Sequence, residues 1–257
     1  MNILVIGESC VDTFMYGSCN RLCPEAPAPV FNPLFSTANG GMARNVLENL
    51  LSFGVGCDLC TNPNWEEVTK TRFIDHNFNH MFLRVDANDK ITRVRNLRDI
   101  NYAKYDAVII SDYNKGFLDP EDIDYIAGQH DLVLLDTKKI LEESWCKNIK
   151  FIKINNHEYK KTKHMVVENM KDKLIITKGG DGCTYKDKTY DVKKVEIKDS
   201  SGAGDTFLAA FTTKYVEDGD IDEAIEFANQ CATAAVQKRG VATVKLTNWQ
   251  VRDEEEE

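Results

Sequence analysis

No apolar run in this sequence approaches the length needed to cross a bilayer, which argues against a membrane span. Basic residues are outnumbered, 32 Lys and Arg against 41 Asp and Glu, and the resulting charge of −9 argues against a general nucleic-acid binder. It also means that any phosphorylated substrate must be met by local cations. Cys57-x-x-Cys60 has metal-ligand spacing, and Cys19 and Cys23 could complete four ligands, but no second Cys-x-x-Cys and no nearby histidine supports them. The eight cysteines read instead as reduced thiols of a cytoplasmic protein. There is no internal repeat and no low-complexity linker. The opening Met1-Asn2-Ile3-Leu4-Val5-Ile6-Gly7 has the pattern of a buried strand, not of a signal peptide. A chain of 257 residues with 42% hydrophobic content can bury a sizeable core. We expect one domain over 1–257, with a solvated acidic tail at 253–257.

The most informative stretch is Asp199-Ser200-Ser201-Gly202-Ala203-Gly204-Asp205-Thr206-Phe207. It starts as a polar loop and opens a helix whose apolar positions, Phe207, Ala210, Phe211 and Tyr215, predict a single buried face. Gly202 and Gly204 allow a sharp turn and leave the amides uncovered, and amides at a helix start attract anions. Asp205 would repel a phosphate there. The conflict disappears if Asp205 takes a proton from an attacking hydroxyl while the amides hold the transferring phosphoryl group. Taken alone, the stretch also fits a capped surface helix with an acidic first turn.

Elsewhere, apolar runs at 107–110, 132–135, 151–154 and 174–177 alternate with helical or polar stretches, the rhythm of βαβ units. A helix is expected after Asn39-Gly40-Gly41, with Ala43, Val46, Leu47 and Leu50 on one face and Gly54 at its end. A last helix carries Ile221, Ala224, Ile225, Ala228, Ala232 and Ala235. Residues 71–74 and 80–85 read as strands. The proline-rich 23–30 segment reads as an extended arm or edge strand, and 55–70 as a polar surface connection without regular structure. Asp12 lies just beyond the first strand, where ligands bind in open α/β sheets, although a turn aspartate fits as well. Gly40, Gly41 and Asn45, at a helix start, form a second place where backbone could approach a ligand.

The Asp199–Phe207 stretch resembles the C-terminal signature of the ribokinase-like (PfkB) carbohydrate kinases, D-T-x-G-A-G-D, with Ser200 in place of Thr. The Gly-Gly and Asn of residues 40–45 resemble that family's N-terminal signature. The resemblance implies a three-layer α/β/α core with a mostly parallel sheet and a small β lid, its strands at about 12–35 and 71–95. It makes Asp205 the catalytic base and Gly202, Ala203 and Gly204 the anion hole, with Asp12, Gly40, Gly41 and Asn45 holding sugar hydroxyls. Asn155-x-x-Glu158 resembles the N-x-x-E tied to the nucleotide phosphates and to Mg²⁺, with Glu158 toward the metal. Thr177, Gly179, Gly182 and Asn229 fall at positions beside the nucleotide. ATP and Mg²⁺ are the implied cofactors, and a homodimer through the lid is left open.

Three stretches narrow the branch. Arg21-Leu22-Cys23-Pro24-Glu25-Ala26-Pro27-Ala28-Pro29-Val30 resembles the R-I-S-P-E-A-P-V-P-V of D-glycero-D-manno-heptose 7-phosphate kinases, and Arg21 and Glu25 are assigned to the substrate on that ground. Ser111-Asp112-Tyr113-Asn114-Lys115-Gly116 resembles their S-D-Y-x-K-G, and Arg84-Val85-Asp86 their lid R-x-D. Lys115 and Arg84 become candidates for the distal phosphate of the sugar. The implied reaction is phosphorylation of an anomeric hydroxyl. A kinase of another sugar, or a non-catalytic sugar- or nucleotide-binding module, remains open. Departures from the pattern are Glu8 where Asp is usual, Val241 where Thr is usual, the short 55–70 segment, and the lack of the H-x-G-H motif of two-domain relatives.

Overall fold

The computed structural model describes residues 1–245. The predicted acidic tail at 253–257 lies outside them. In chain order the elements are β1 (Asn2–Gly7), β2 (Val11–Ser18), β3 (Asn32–Asn39), α1 (Met42–Ser52), β4 (Gly56–Cys60), β5 (Thr69–Asp75), β6 (Met81–Ala87), β7 (Ala107–Asp112), α2 (Pro120–Ala127) and β8 (Val133–Thr137). There follow α3 (Glu143–Cys146), β9 (Phe151–Asn155), α4 (Asn156–Thr162), α5 (Glu168–Lys171), β10 (Leu174–Thr177), β11 (Cys183–Tyr185), β12 (Lys188–Tyr190), α6 (Ala203–Asp218) and α7 (Ile221–Val236).

Apolar side chains on both faces of the central strands require cover on both sides, and the helices supply it. The main sheet has the order β12-β11-β10-β9-β8-β7-β1-β4. It is parallel from β4 through β10 and closes with an antiparallel hairpin, β11–β12. One face buries Ile3, Val5, Ile109 and Phe151 against α1, α6 and α7; the other buries Leu4, Ile6, Ile110 and Leu135 against Ile123, Ile126 and Trp145. This is a three-layer α/β/α arrangement. The chain leaves β1 toward β4 and later returns on the opposite side at β7, so the crevice at the carboxyl ends of β1 and β7 is the switch point where ligands bind in such sheets.

A second sheet of order β3-β2-β5-β6 is built from chain that leaves β1 and the region after α1. Register divides its residues into two faces. Asp12, Lys70 and Asp86 form one row and Phe14, Arg72 and Arg84 the next, while Met15, Phe73 and Leu83 line the opposite face.

Three expectations need correction. The 55–70 segment contains β4, paired to β1 over five residues, although no helix follows it. The open edge of β1 supplies backbone partners that a polar sequence accepts without any apolar alternation. The 23–30 segment is not an extended strand. It folds back on itself through Cys23 N–H to Ala28 O (2.8 Å) and Val30 N–H to Arg21 O (3.0 Å). Helix α6 is not one-faced: every residue from Asp205 to Thr213 is buried, because α6 packs against α1 and α7 as well as the sheet. Among the described residues no helix is long and apolar enough to cross a membrane.

Candidate active site

Helix α6 starts at the mouth of the crevice. Gly202 is its N-cap with φ +78°, a left-handed conformation that suits glycine, and no side chain caps the helix there. The first N–H groups of an α-helix have no carbonyl one turn back, so the α6 start offers donors and the positive end of the helix dipole. Asp205 sits in this first turn and is 3% exposed. Asn45, on α1, donates to its Oδ2 (3.2 Å), and the Tyr113 hydroxyl donates to its Oδ1 (2.9 Å). Burial pushes the Asp205 carboxyl up to about 6 and the negative Asp136 adds to this; Lys153 and the two hydrogen bonds oppose the rise. A buried carboxylate so held suits a general base near neutral pH.

Sequence reasoning gave no role to Lys153, Asp136 or Tyr113. Lys153 and Asp136 are register partners on β9 and β8, and the Lys153 ammonium reaches Asp136 Oδ2 at 2.7 Å. Burial opposes the charge on Lys153, but Asp136 outweighs it and holds the group protonated. A Cβ on Gly204 would come within 2.7 Å of Lys153 Nζ, so a buried cation stands directly against the α6 start. The available signal was one charge in each of two otherwise apolar strands, Leu134-Leu135-Asp136 and Ile152-Lys153-Ile154.

The expected sugar side divides in two. Gly40, Gly41, Asn45 and Asp12 do come together: Gly40 O accepts from Cys10 N–H (3.0 Å), and a Cβ on Gly41 would lie 3.5 Å from that of Asp12. Asp12 is 5% exposed and ion-paired with Arg72, itself stacked over Phe14 at 4.7 Å. Burial raises the Asp12 carboxyl, against the pull of Arg72. Arg84 forms a two-pronged pair with Asp86 (2.7 Å each), and Lys115 is paired with Asp89. Neither cation is free. Arg21 and Glu25 are exposed on the folded-back loop, where Glu25 accepts from the Cys23 thiol.

The expected nucleotide side also divides. Thr177, Gly179, Gly182 and Asn229 line a cavity of about 210 Å³ together with Ala203, Gly204 and Phe207. One cavity thus joins them to the α6 start. The Asn229 amide donates to Tyr190 O at 3.3 Å. Asn155 and Glu158 do not line it, although Asn155 is the β9 register partner of Thr177; they form a reciprocal capping box on α4, in which Asn155 Oδ1 accepts from Glu158 N–H (2.9 Å) and Glu158 Oε2 from Asn155 N–H (2.8 Å). Glu158 Oε1 pairs with the half-exposed Lys138 (3.0 Å). A carboxylate near the strand ends, held by a backbone amide and a half-exposed ammonium, fits the outer shell of Mg²⁺, an ion that keeps most of its waters and takes one or two carboxylates. Val241 packs on Phe14, Tyr16 and Ile74 and against Gly202, so the position that departs from Thr joins the second sheet to the α6 start.

A doubly covered parallel sheet, its carboxyl-end crevice closed by a helix start with a buried carboxylate, defines the ribokinase-like class. Arabidopsis thaliana ribokinase, solved with ribose and ATP, superposes with a TM-score of 0.68 over 93% of this chain and 94% of its own, at 13% identity. The description "pfkB family carbohydrate kinase" matches residues 127–248. The bifunctional protein HldE of Helicobacter pylori strain J99 is 30% identical over 95% of this chain and 64% of its own length. That of Aliarcobacter butzleri is 28% identical over 95% and 63%. The chain therefore spans less than two thirds of these curated relatives. The family match, the fold and these relatives together support a carbohydrate kinase of the PfkB kind.

Proposed function

We propose that the chain is an ATP-dependent kinase that phosphorylates the anomeric hydroxyl of D-glycero-D-manno-heptose 7-phosphate, giving the 1,7-bisphosphate. The observation that carries the kinase reading is Asp205, buried, pinned at both oxygens and set beside the uncapped α6 start and Lys153. A binding module has no use for such a base. In this reading Asp12 and Asn45 orient the sugar, and Asp205 accepts the proton of the attacking hydroxyl. The amides at 202–204 and Lys153 stabilise charge on the transferring phosphoryl group. Mg²⁺, when bound, would neutralise phosphate charge, with Glu158 holding its water shell. The cavity at Thr177, Gly179, Gly182 and Asn229 would receive the nucleotide. We place the enzyme in the cytoplasm, where ATP is supplied and its cysteine thiols stay reduced. We also propose that two copies pair through the second sheet, the lid.

The heptose assignment rests on the 21–30 stretch and on Ser111-Asp112-Tyr113-Asn114-Lys115-Gly116. One observation favours a second reading, a kinase of another sugar in the family: Lys115 and Arg84 are already neutralised by Asp89 and Asp86. A panel of sugars and sugar phosphates with ATP and Mg²⁺ decides, reading ADP release and the phosphorylated position. We expect the 7-phosphate to be preferred over free heptose by roughly tenfold to a hundredfold in kcat/KM, the worth of one charge-assisted contact. Equal rates on both would favour the second reading.

A further inference from the structure

We propose that Tyr113, seated by Glu8, is a positioning residue for Asp205 that fixes the orientation of its carboxylate and keeps it ionised. The proposal rests on the reading of Asp205 as the base. Tyr113 lies on the turn that follows β7, where Asn114 has φ +55° and Gly116 φ +94°. Such a turn would be loose if left to itself. Instead Glu8, fully buried, accepts Tyr113 N–H on one oxygen (2.7 Å) and Lys115 N–H on the other (2.9 Å). Burial, and then Asp112, push the Glu8 carboxyl up, so placing an acid here works against its solvation. What that acid achieves is registry of the turn.

The backbone carbonyl of Glu8 also accepts Ala43 N–H (2.8 Å) at the start of α1. One residue therefore seats both the turn that carries Tyr113 and the helix that carries Asn45. Those two side chains donate to different oxygens of Asp205. A carboxylate held at both oxygens cannot rotate, and each oxygen keeps a lone pair for an incoming hydroxyl. The Tyr113 ring is held in turn by the Lys138 ammonium, 4.6 Å from its centroid. Burial, followed by the negative charge of Asp205, raises the phenol well above its ordinary value, so it donates throughout the working pH range.

Asp205 is faced by Asp136 from β8, Lys153 from β9, Asn45 from α1 and Tyr113 from the β7 turn. Of these only Asp136 opposes ionisation. Loss of the phenol hydroxyl should move the Asp205 titration upward by about half to one pH unit. The Glu8 side chain is long enough to reach two amides of this turn at once.

The experiment compares wild type, Tyr113→Phe and Glu8→Gln by two readouts. One is the pH profile of ADP release with the best acceptor of the panel. The other is the Asp205 carboxyl titration by ¹³C NMR, its signal identified by loss in Asp205→Asn. Tyr113→Phe should raise the NMR midpoint and the acid limb together, lower kcat about threefold to thirtyfold at pH 8, and leave KM for ATP nearly unchanged. Glu8→Gln, which weakens the seat without removing the hydroxyl, should shift both in the same direction by less. An Asp205 midpoint that stays put in Tyr113→Phe would overturn the proposal, whether or not kcat falls. If wild type phosphorylates nothing in the panel, the kinase reading fails, yet the NMR midpoint still decides whether Tyr113 controls Asp205.

Discussion

Asp205 illustrates a conflict between stability and chemistry within one side chain. Its carboxyl is raised from the ordinary 3.8 to about 6, mainly by burial. A raised carboxyl means that the folded state disfavours the charge, so the protein is destabilised above pH 6. That cost fades as pH falls from 6 to 4 and vanishes below the unfolded value. Asp205→Asn should therefore raise the thermal midpoint at pH 7–8, by at most about 3 kcal/mol of stability, with no gain at pH 4. The same substitution should lower kcat roughly 10²–10⁴-fold while nucleotide affinity survives. Wild-type turnover should fall about tenfold per unit below pH 6. Calorimetry and a pH–rate profile on the same preparations check both halves. A variant that is destabilised at pH 8 and fully active would show that Asp205 is a structural group.

At the level of elements, the start of α6 is where sequence and geometry coincide most closely. The 199–207 stretch was legible because its chemistry is local: two glycines, an acid and a following helix lie within nine residues. Lys153 and Asp136 were not legible, since each reads as a lone charge until the β8–β9 register sets them opposite one another. The same holds for Arg72, which meets Asp12 only through the β2–β5 pairing. The apolar periodicity of α6 misled because a helix covered on all sides has no polar face to report. Strand β4 was hidden because edge pairing needs backbone, not pattern. Asn155 and Glu158, read by resemblance, are tied up as the α4 cap, a role the sequence spacing also encodes. Gly204→Ala tests the element directly. Alanine favours a helix by about 1 kcal/mol over glycine, so α6 itself should tolerate it. Its Cβ would displace the Lys153 ammonium, however. We expect a lower melting temperature, because disturbing the buried Lys153–Asp136 pair outweighs the helix gain, with kcat reduced about tenfold or more and an acid limb moved above 6 because a cation has left Asp205. Wild-type kinetics in this variant would remove Lys153 from the α6 site.

For the molecule as a whole, the second sheet sets the remaining question. Its flanking strands, β3 and β6, are exposed along almost their whole length, and Leu34 (64%), Leu83 (57%) and Met81 (49%) lie open there. Apolar surface of this extent on an open sheet edge invites pairing, and a soluble monomer would cover or charge it. The two faces of the sheet are chemically distinct: Arg72 and Arg84 share one row, while Met15, Phe73 and Leu83 align on the other. Pairing through the apolar face would leave the charged face toward the crevice. It would also hold that face, which carries Asp12, rigidly at the crevice, and Val241 would pass the restraint to Gly202. A self-complementary contact of this kind favours a twofold dimer. We therefore expect a dimer in sedimentation velocity at micromolar concentration. Leu83→Asp, which sets two like charges against each other across a twofold contact, should yield monomers with native circular dichroism. Because the lid would lose its support, KM for the sugar should rise about tenfold, with a much smaller change in KM for ATP. A wild-type monomer in sedimentation, or a Leu83→Asp monomer with unaltered sugar KM, would separate the apolar face of the lid from catalysis.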